Sequence, residues 1–230
     1  MKYIICLRNK AFAYVWGCEI GIKENNSMKS KLFMAAAAVM AVVCLAGCSA
    51  GISSKKFVNS VESRGMKEYT DSREFLRLIG GTGEDESYYY VGKDQKADTL
   101  CSTFLGTEAD SGATEFIACI EWKMGEGDDY LCLNNIYYIT AKNKSSAEKI
   151  YEKAKYNGLH DQISGTKNGI QYSINYIGAG DFPVHDSYSG AYLKGNTVIY
   201  IRGNCYSDCD NELVETVCKD LGLESPYTLR

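Results

Sequence analysis

Two histidines in 230 residues leave little room for imidazole chemistry. His160 and His185 each precede an aspartate, but no Gly-x-Ser-x-Gly elbow accompanies them. The Walker loop, the Gly-x-Gly-x-x-Gly fingerprint and the His-Glu-x-x-His metalloprotease motif are absent as well. The reading therefore expects no cofactor and no metal. No stripe of lysine and arginine interleaved with aromatics occurs, so nucleic acid is a poor partner. The longest apolar run, residues 32–47, falls short of the roughly 20 residues that a spanning helix needs.

That short run is nonetheless the most specific feature present. It follows Met28-Lys29-Ser30-Lys31 and closes on Leu45-Ala46-Gly47-Cys48. Lys29 and Lys31 make a basic n-region, the run makes a helix-prone h-region, and small residues precede the cut. The arrangement resembles the signal peptide of bacterial lipoproteins, whose lipobox is an aliphatic residue, two small residues and a cysteine. The resemblance implies a diacylglyceryl group on the Cys48 sulfur, cleavage before Cys48 and anchoring on the extracytoplasmic face of the cell membrane. Two acyl chains give stable anchoring, because each buried methylene contributes about 0.8 kcal/mol and one chain is marginal. Residues 1–27 then read as an upstream extension ahead of a true initiator at Met28. The Lys23-Glu24 codons can spell a ribosome-binding sequence at suitable distance. As a translated n-region, that extension would carry Glu19 and Glu24 beside the translocation signal.

The domain plan is thus an extension over 1–27, a signal peptide over 28–47, a lipidated tether over 48–54 and one globular domain over 55–230. From Cys48 onward, 19 lysines and arginines face 27 aspartates and glutamates. This acidity argues solubility and repels phosphate backbones; it identifies no ligand.

Three helices are expected to end in glycine plus an apolar residue: Gly65-Met66, Gly158-Leu159 and Gly222-Leu223. They span residues 55–64, 146–157 (with a Ser145/Glu148 capping box) and 208–221, and a short piece lies near 72–79. Asp208, Asp210 and Glu212 alternate like hard-cation ligands but lack the calcium-loop glycine; they read as charge at a helix N-terminus. Strands are expected over 115–123, 130–140 and 169–178, and as a hairpin, 189–194 with 197–202, across Gly195-Asn196. Residues 88–91 and 99–105 are weaker strand candidates. The fold class is α+β: an antiparallel sheet of five to seven strands, with three to four helices largely on one face.

Six cysteines follow Cys48, and an even count in an exported domain is compatible with disulfides. Placing Ile120 opposite Leu131 sets Cys119 opposite Cys132, which is the favoured pair. Cys205 with Cys209, or either with Cys218, stays open. Cys205-x3-Cys209 is a weak zinc signal, and Cys218 also suits a buried apolar position. His185-Asp186 is placed in an exposed loop before the hairpin.

Tyrosine is abundant, 18 in all, with runs at Tyr88-Tyr89-Tyr90 and Tyr137-Tyr138. Neighbours on a strand point to opposite faces, so each run puts a ring on the side away from a one-sided core. The leading functional reading is a non-enzymatic domain binding an envelope protein, glycan or small ligand through that tyrosine face. A cell-envelope hydrolase using His160 or His185, and an accessory subunit of an envelope complex, are the alternatives.

Overall fold

In a computed structural model, the described residues are 12–15, 18–21, 51–71, 75, 85–124, 130–156, 163–177, 185–206 and 211–227. The chain divides into two units, Met1–Gly47 and Cys48–Arg230. In the first, β1 (Phe12–Val15) and β2 (Cys18–Gly21) pair antiparallel. The second contains, in chain order, α1 (Ser54–Glu62), β3 (Lys67–Tyr69), β4 (Glu86–Lys93), α2 (Gln95–Leu105), β5 (Ala113–Met124) and β6 (Tyr130–Ala141). It continues with α3 (Lys144–Tyr156), β7 (Ile163–Lys167), β8 (Ile170–Ile177), β9 (His185–Lys194), β10 (Thr197–Tyr206) and α4 (Glu212–Leu221).

The class is α+β, as the pattern of elements suggests. Eight strands form one sheet in the order β3-β4-β5-β6-β10-β9-β8-β7. Only β3 and β4, at one edge, pair in parallel; the other pairs are antiparallel. The sheet is therefore mixed and larger than expected, because short β3 and polar β7 carry no alternation to betray them. Residues 99–105 belong to helix α2 and not to a strand.

Helices cover both faces of the sheet, which corrects the one-sided arrangement. Phe57 and Val61 of α1, with Leu213, Val214 and Val217 of α4, pack against Ile117, Cys119, Ile136, Tyr138, Ile199 and Ile201. Leu100 and Leu105 of α2, with Ile150 and Tyr151 of α3, pack against the opposite parity, Phe116, Ala118, Tyr137, Ile139, Val198 and Tyr200. The cause is written in the central strands. Phe116-Ile117-Ala118-Cys119-Ile120 and Val198-Ile199-Tyr200-Ile201 are continuous apolar runs, the mark of strands buried on both sides.

The tyrosine runs follow the same rule. Tyr89 and Tyr90, and Tyr137 and Tyr138, are all buried, one ring of each pair on either face. Phe57 stacks on Tyr138 with ring centroids 5.1 Å apart, and Phe75, helical and buried, stacks on Tyr90 at 5.3 Å. Tyr151, Tyr188, Tyr192 and Tyr200 are buried as well, so many of the described tyrosines belong to the core.

The helix stops agree with the glycine pattern where they are described. Gly222 takes a left-handed φ of 72°, and the Leu223 N–H donates to the Cys218 carbonyl at 2.8 Å. Gly65 ends α1 in the same way, whereas Gly158 lies outside the described residues. At the start of α3, Asn143 Oδ1 accepts from the Ser146 N–H at 2.9 Å, so Asn143 takes the capping role expected of Ser145. The helix expected from residue 208 is described from Glu212, with Asn211 at its N-cap.

Burial pushes the phenol pKa upward for Tyr89, Tyr137, Tyr138, Tyr151, Tyr192 and Tyr200, in the case of Tyr151 to about 12. In the unfolded chain these phenols ionise near 10. Their contribution to stability is complete below pH 10 and is lost progressively above it, through about 12 for Tyr151. In an alkaline ramp, a late rise in tyrosinate absorbance from these six rings is expected to coincide with loss of the far-ultraviolet dichroism. A gradual tyrosinate titration of all the rings with the fold intact would contradict this burial.

Candidate functional site

The cavity that stands out lies over β6 and β10, beside the C-terminal end of α2. α2 packs on β4 and β5, and α3 packs on β9, β10 and β6. Between them the lower halves of β6 and β10 stay partly open. The resulting cavity is about 420 Å³, within the range of small-molecule sites.

Register builds the floor. Tyr137 stands opposite Tyr200, Asn135 opposite Arg202 and Leu133 opposite Asn204, all six lining the cavity. On this face, β10 reads Val198, Tyr200, Arg202, Asn204, and β6 reads Ile139, Tyr137, Asn135, Leu133. Both strands thus turn polar at the same rung, Asn135 with Arg202, before β6 returns to apolar Leu133 opposite Asn204. The wall is Phe104, whose ring centroid is 4.9 Å from that of Tyr137 and 5.8 Å from that of Phe116. Tyr137 and Tyr200 extend the aromatic group with centroids 6.1 Å apart. Gly106, left-handed at φ 65°, ends α2 at the rim.

Arg202 is exposed, and among the described residues it has no carboxylate partner. Among the described residues no acidic side chain lines the cavity. Burial pushes the Tyr137 and Tyr200 phenols up, and the Arg202 charge partly opposes both shifts, so the guanidinium lies within electrostatic reach of the two rings. The end of α2 brings about half a negative charge, which the full charge of Arg202 outweighs. A cation, two amide side chains and an aromatic wall can hold an anionic head on an apolar body. A planar guanidinium is well shaped to take a carboxylate through two parallel hydrogen bonds.

The residues singled out from sequence do not converge here. His160 lies outside the described residues. His185 and Asp186 open strand β9, opposite Tyr206 and Cys205, instead of sitting in a loop; their side chains lie outside the description. Among the described residues no group of three histidine, cysteine or acidic side chains could hold a metal. Cys48, Cys209, Asp208 and Asp210 lie outside the described residues, and Glu212 is the first residue of α4, ion-paired with Arg64.

The favoured cysteine pair is also corrected. Cys119 stands opposite Ile136, and Cys132 opposite Lys123, four rungs from the expected register. The two strands pair as far as Met124 with Tyr130, which sets Cys132 at the strand ends and Cys119 well inside. Cys119 is a free, buried thiol, like Cys101 and Cys218. Burial pushes all three thiols upward in pKa, away from the reactive thiolate. Iodoacetamide is accordingly expected to spare Cys101, Cys119 and Cys218 in the native protein at pH 8 and to label them in denaturant. Rapid native labelling of Cys119, read by peptide mass mapping, would contradict the placement.

No family model matches the chain, and no curated protein matches it. Among solved structures, it is similar to the extracellular domain of PknH from Mycobacterium tuberculosis, at 12% identity and a TM-score of 0.38. That similarity covers 66% of this chain and 90% of the PknH domain, and at this level it carries nothing about the activity of the chain. Among the described residues no helix is long and apolar enough to cross a membrane.

Arg202, Asn135, Asn204 and Phe104 escaped sequence reasoning. Their signal is the shared apolar-to-polar switch on β6 and β10. It becomes visible only once Asn135 is known to face Arg202.

Proposed function

We propose that the chain is a lipid-anchored, extracytoplasmic bacterial lipoprotein whose globular domain is a non-enzymatic receptor for a small organic carboxylate with an apolar body. The carrying observation is Arg202, a guanidinium that among the described residues has no carboxylate partner and shares its cavity with no acid, inside a domain rich in acids. Asn135 and Asn204 flank it with amide groups, and Phe104 and Tyr137 offer ring faces to the ligand body. The anchoring half of the reading rests on the sequence Leu45-Ala46-Gly47-Cys48.

Anchoring is tested with the full chain in a bacterial host. The wild type is expected to partition into detergent and to carry a diacylglyceryl mass on Cys48, and Cys48→Ser to remain unprocessed. A wild-type chain bearing no lipid on Cys48 would refute that half.

Binding is tested with benzoate, butyrate and the uncharged isostere benzamide, by calorimetric titration of the full chain in detergent. Benzoate is expected to bind more tightly than butyrate, and benzamide to bind at least about tenfold more weakly than benzoate. Arg202→Gln is expected to remove that preference, because a hydrogen bond to a charged group contributes about 1.5–3 kcal/mol. Equal affinity for benzoate and benzamide, or binding of neither, would sink the carboxylate reading.

A further inference from the structure

Beneath the cavity floor, on the opposite face of the same two strands, Cys132 stands directly opposite Cys205. We infer that Cys132 and Cys205 form a disulfide that staples β6 to β10. Directly opposed residues of an antiparallel pair have Cα atoms about 4.5–5.5 Å apart, inside the roughly 4.4–6.8 Å window of disulfides.

Elimination points the same way. Among the described cysteines, Cys101, Cys119 and Cys218 are free thiols, and Cys132 is not among them. Cys132 is fully buried, and its sulfur accepts a 3.4 Å hydrogen bond from Asn134 Nδ2. A bridge between Cys205 and Cys209 would leave Cys132 without a partner, whereas register supplies one at the next strand.

The staple closes a long loop that carries α3 and the whole β7–β9 edge of the sheet. It also fixes the rung beside the Leu133 and Asn204 pair, which lines the cavity on the other face. Forming the S–S bond removes two protons and two electrons from the thiols. A disulfide oxidant such as oxidised glutathione accepts both and is reduced to two thiols. The inference rests on strand register and is independent of the proposed ligand.

The test is peptide mass mapping of the full chain in detergent, equilibrated with oxidised glutathione and then alkylated under denaturing, non-reducing conditions. A linked pair of peptides carrying Cys132 and Cys205 is expected. Cys132 alkylated, or linked to Cys209 or any other cysteine, overturns the inference. As a second readout, reduction is expected to lower Tm on the order of 10 °C, as a loop of this length predicts. Cys132→Ser, Cys205→Ser and the double variant are expected to share that loss without adding to it. Additive losses, or a loss for Cys209→Ser and none for Cys205→Ser, would overturn it as well.

Discussion

Burial of the central strands on both faces is the constraint from which the rest of the molecule follows. β5, β6, β10 and β9 supply two apolar surfaces each, and neither surface can be left to water. One pair of helices, α1 and α4, closes one side; α2 and α3 close the other. Two cores of similar extent share a single sheet. Tyrosine is well suited to this arrangement, since its ring fills core volume while its hydroxyl reaches an edge. Tyr138 donates to the Ile52 carbonyl at 2.6 Å and Tyr192 to the Glu224 carbonyl at 2.6 Å, tying the two ends of the domain to the sheet.

The same constraint gives the buried polar groups their shape. On the α1/α4 side, Asn134 Nδ2 donates to Glu121 Oε2 at 2.8 Å, and Tyr188 donates to both Asn134 Oδ1 and Asn211 Oδ1. A buried carboxylate and amide without such partners would be costly. Gly203 lies beneath this cluster, where a Cβ would collide with the Tyr188 ring and the Asn134 amide. Directly above, on the other face, Arg202 and Asn204 open into the cavity. One short stretch of β10 therefore serves a closed polar network on one side and an open cavity on the other.

Helical cover also explains why the rings of Tyr89, Tyr90, Tyr137 and Tyr138 are buried. Paired tyrosines on a strand expose a ring only when one face of the sheet is free. Here both faces are taken, and a gap between α2 and α3 leaves Phe104, Tyr137 and Tyr200 lining a cavity. What that gap exposes differs in kind from a broad docking face: it is a concave, Arg-bearing pocket scaled to a small ligand.

Local pattern determined a good part of this chain. The glycine stops at Gly65 and Gly222, the Gly195-Asn196 hairpin and the class of the fold depend on neighbours within a few residues, and such neighbours are legible in order. Tertiary structure decided what long-range pairing controls. The register of β5 on β6 separated Cys119 from Cys132, and the pairing of β10 with β6 brought Arg202 to Asn135 and Cys205 to Cys132. Residues more than sixty positions apart meet there, and no periodicity within either strand specifies which rung they share. The number of helical layers likewise escaped the alternation pattern, because a strand buried on both faces hides its period under a continuous apolar run.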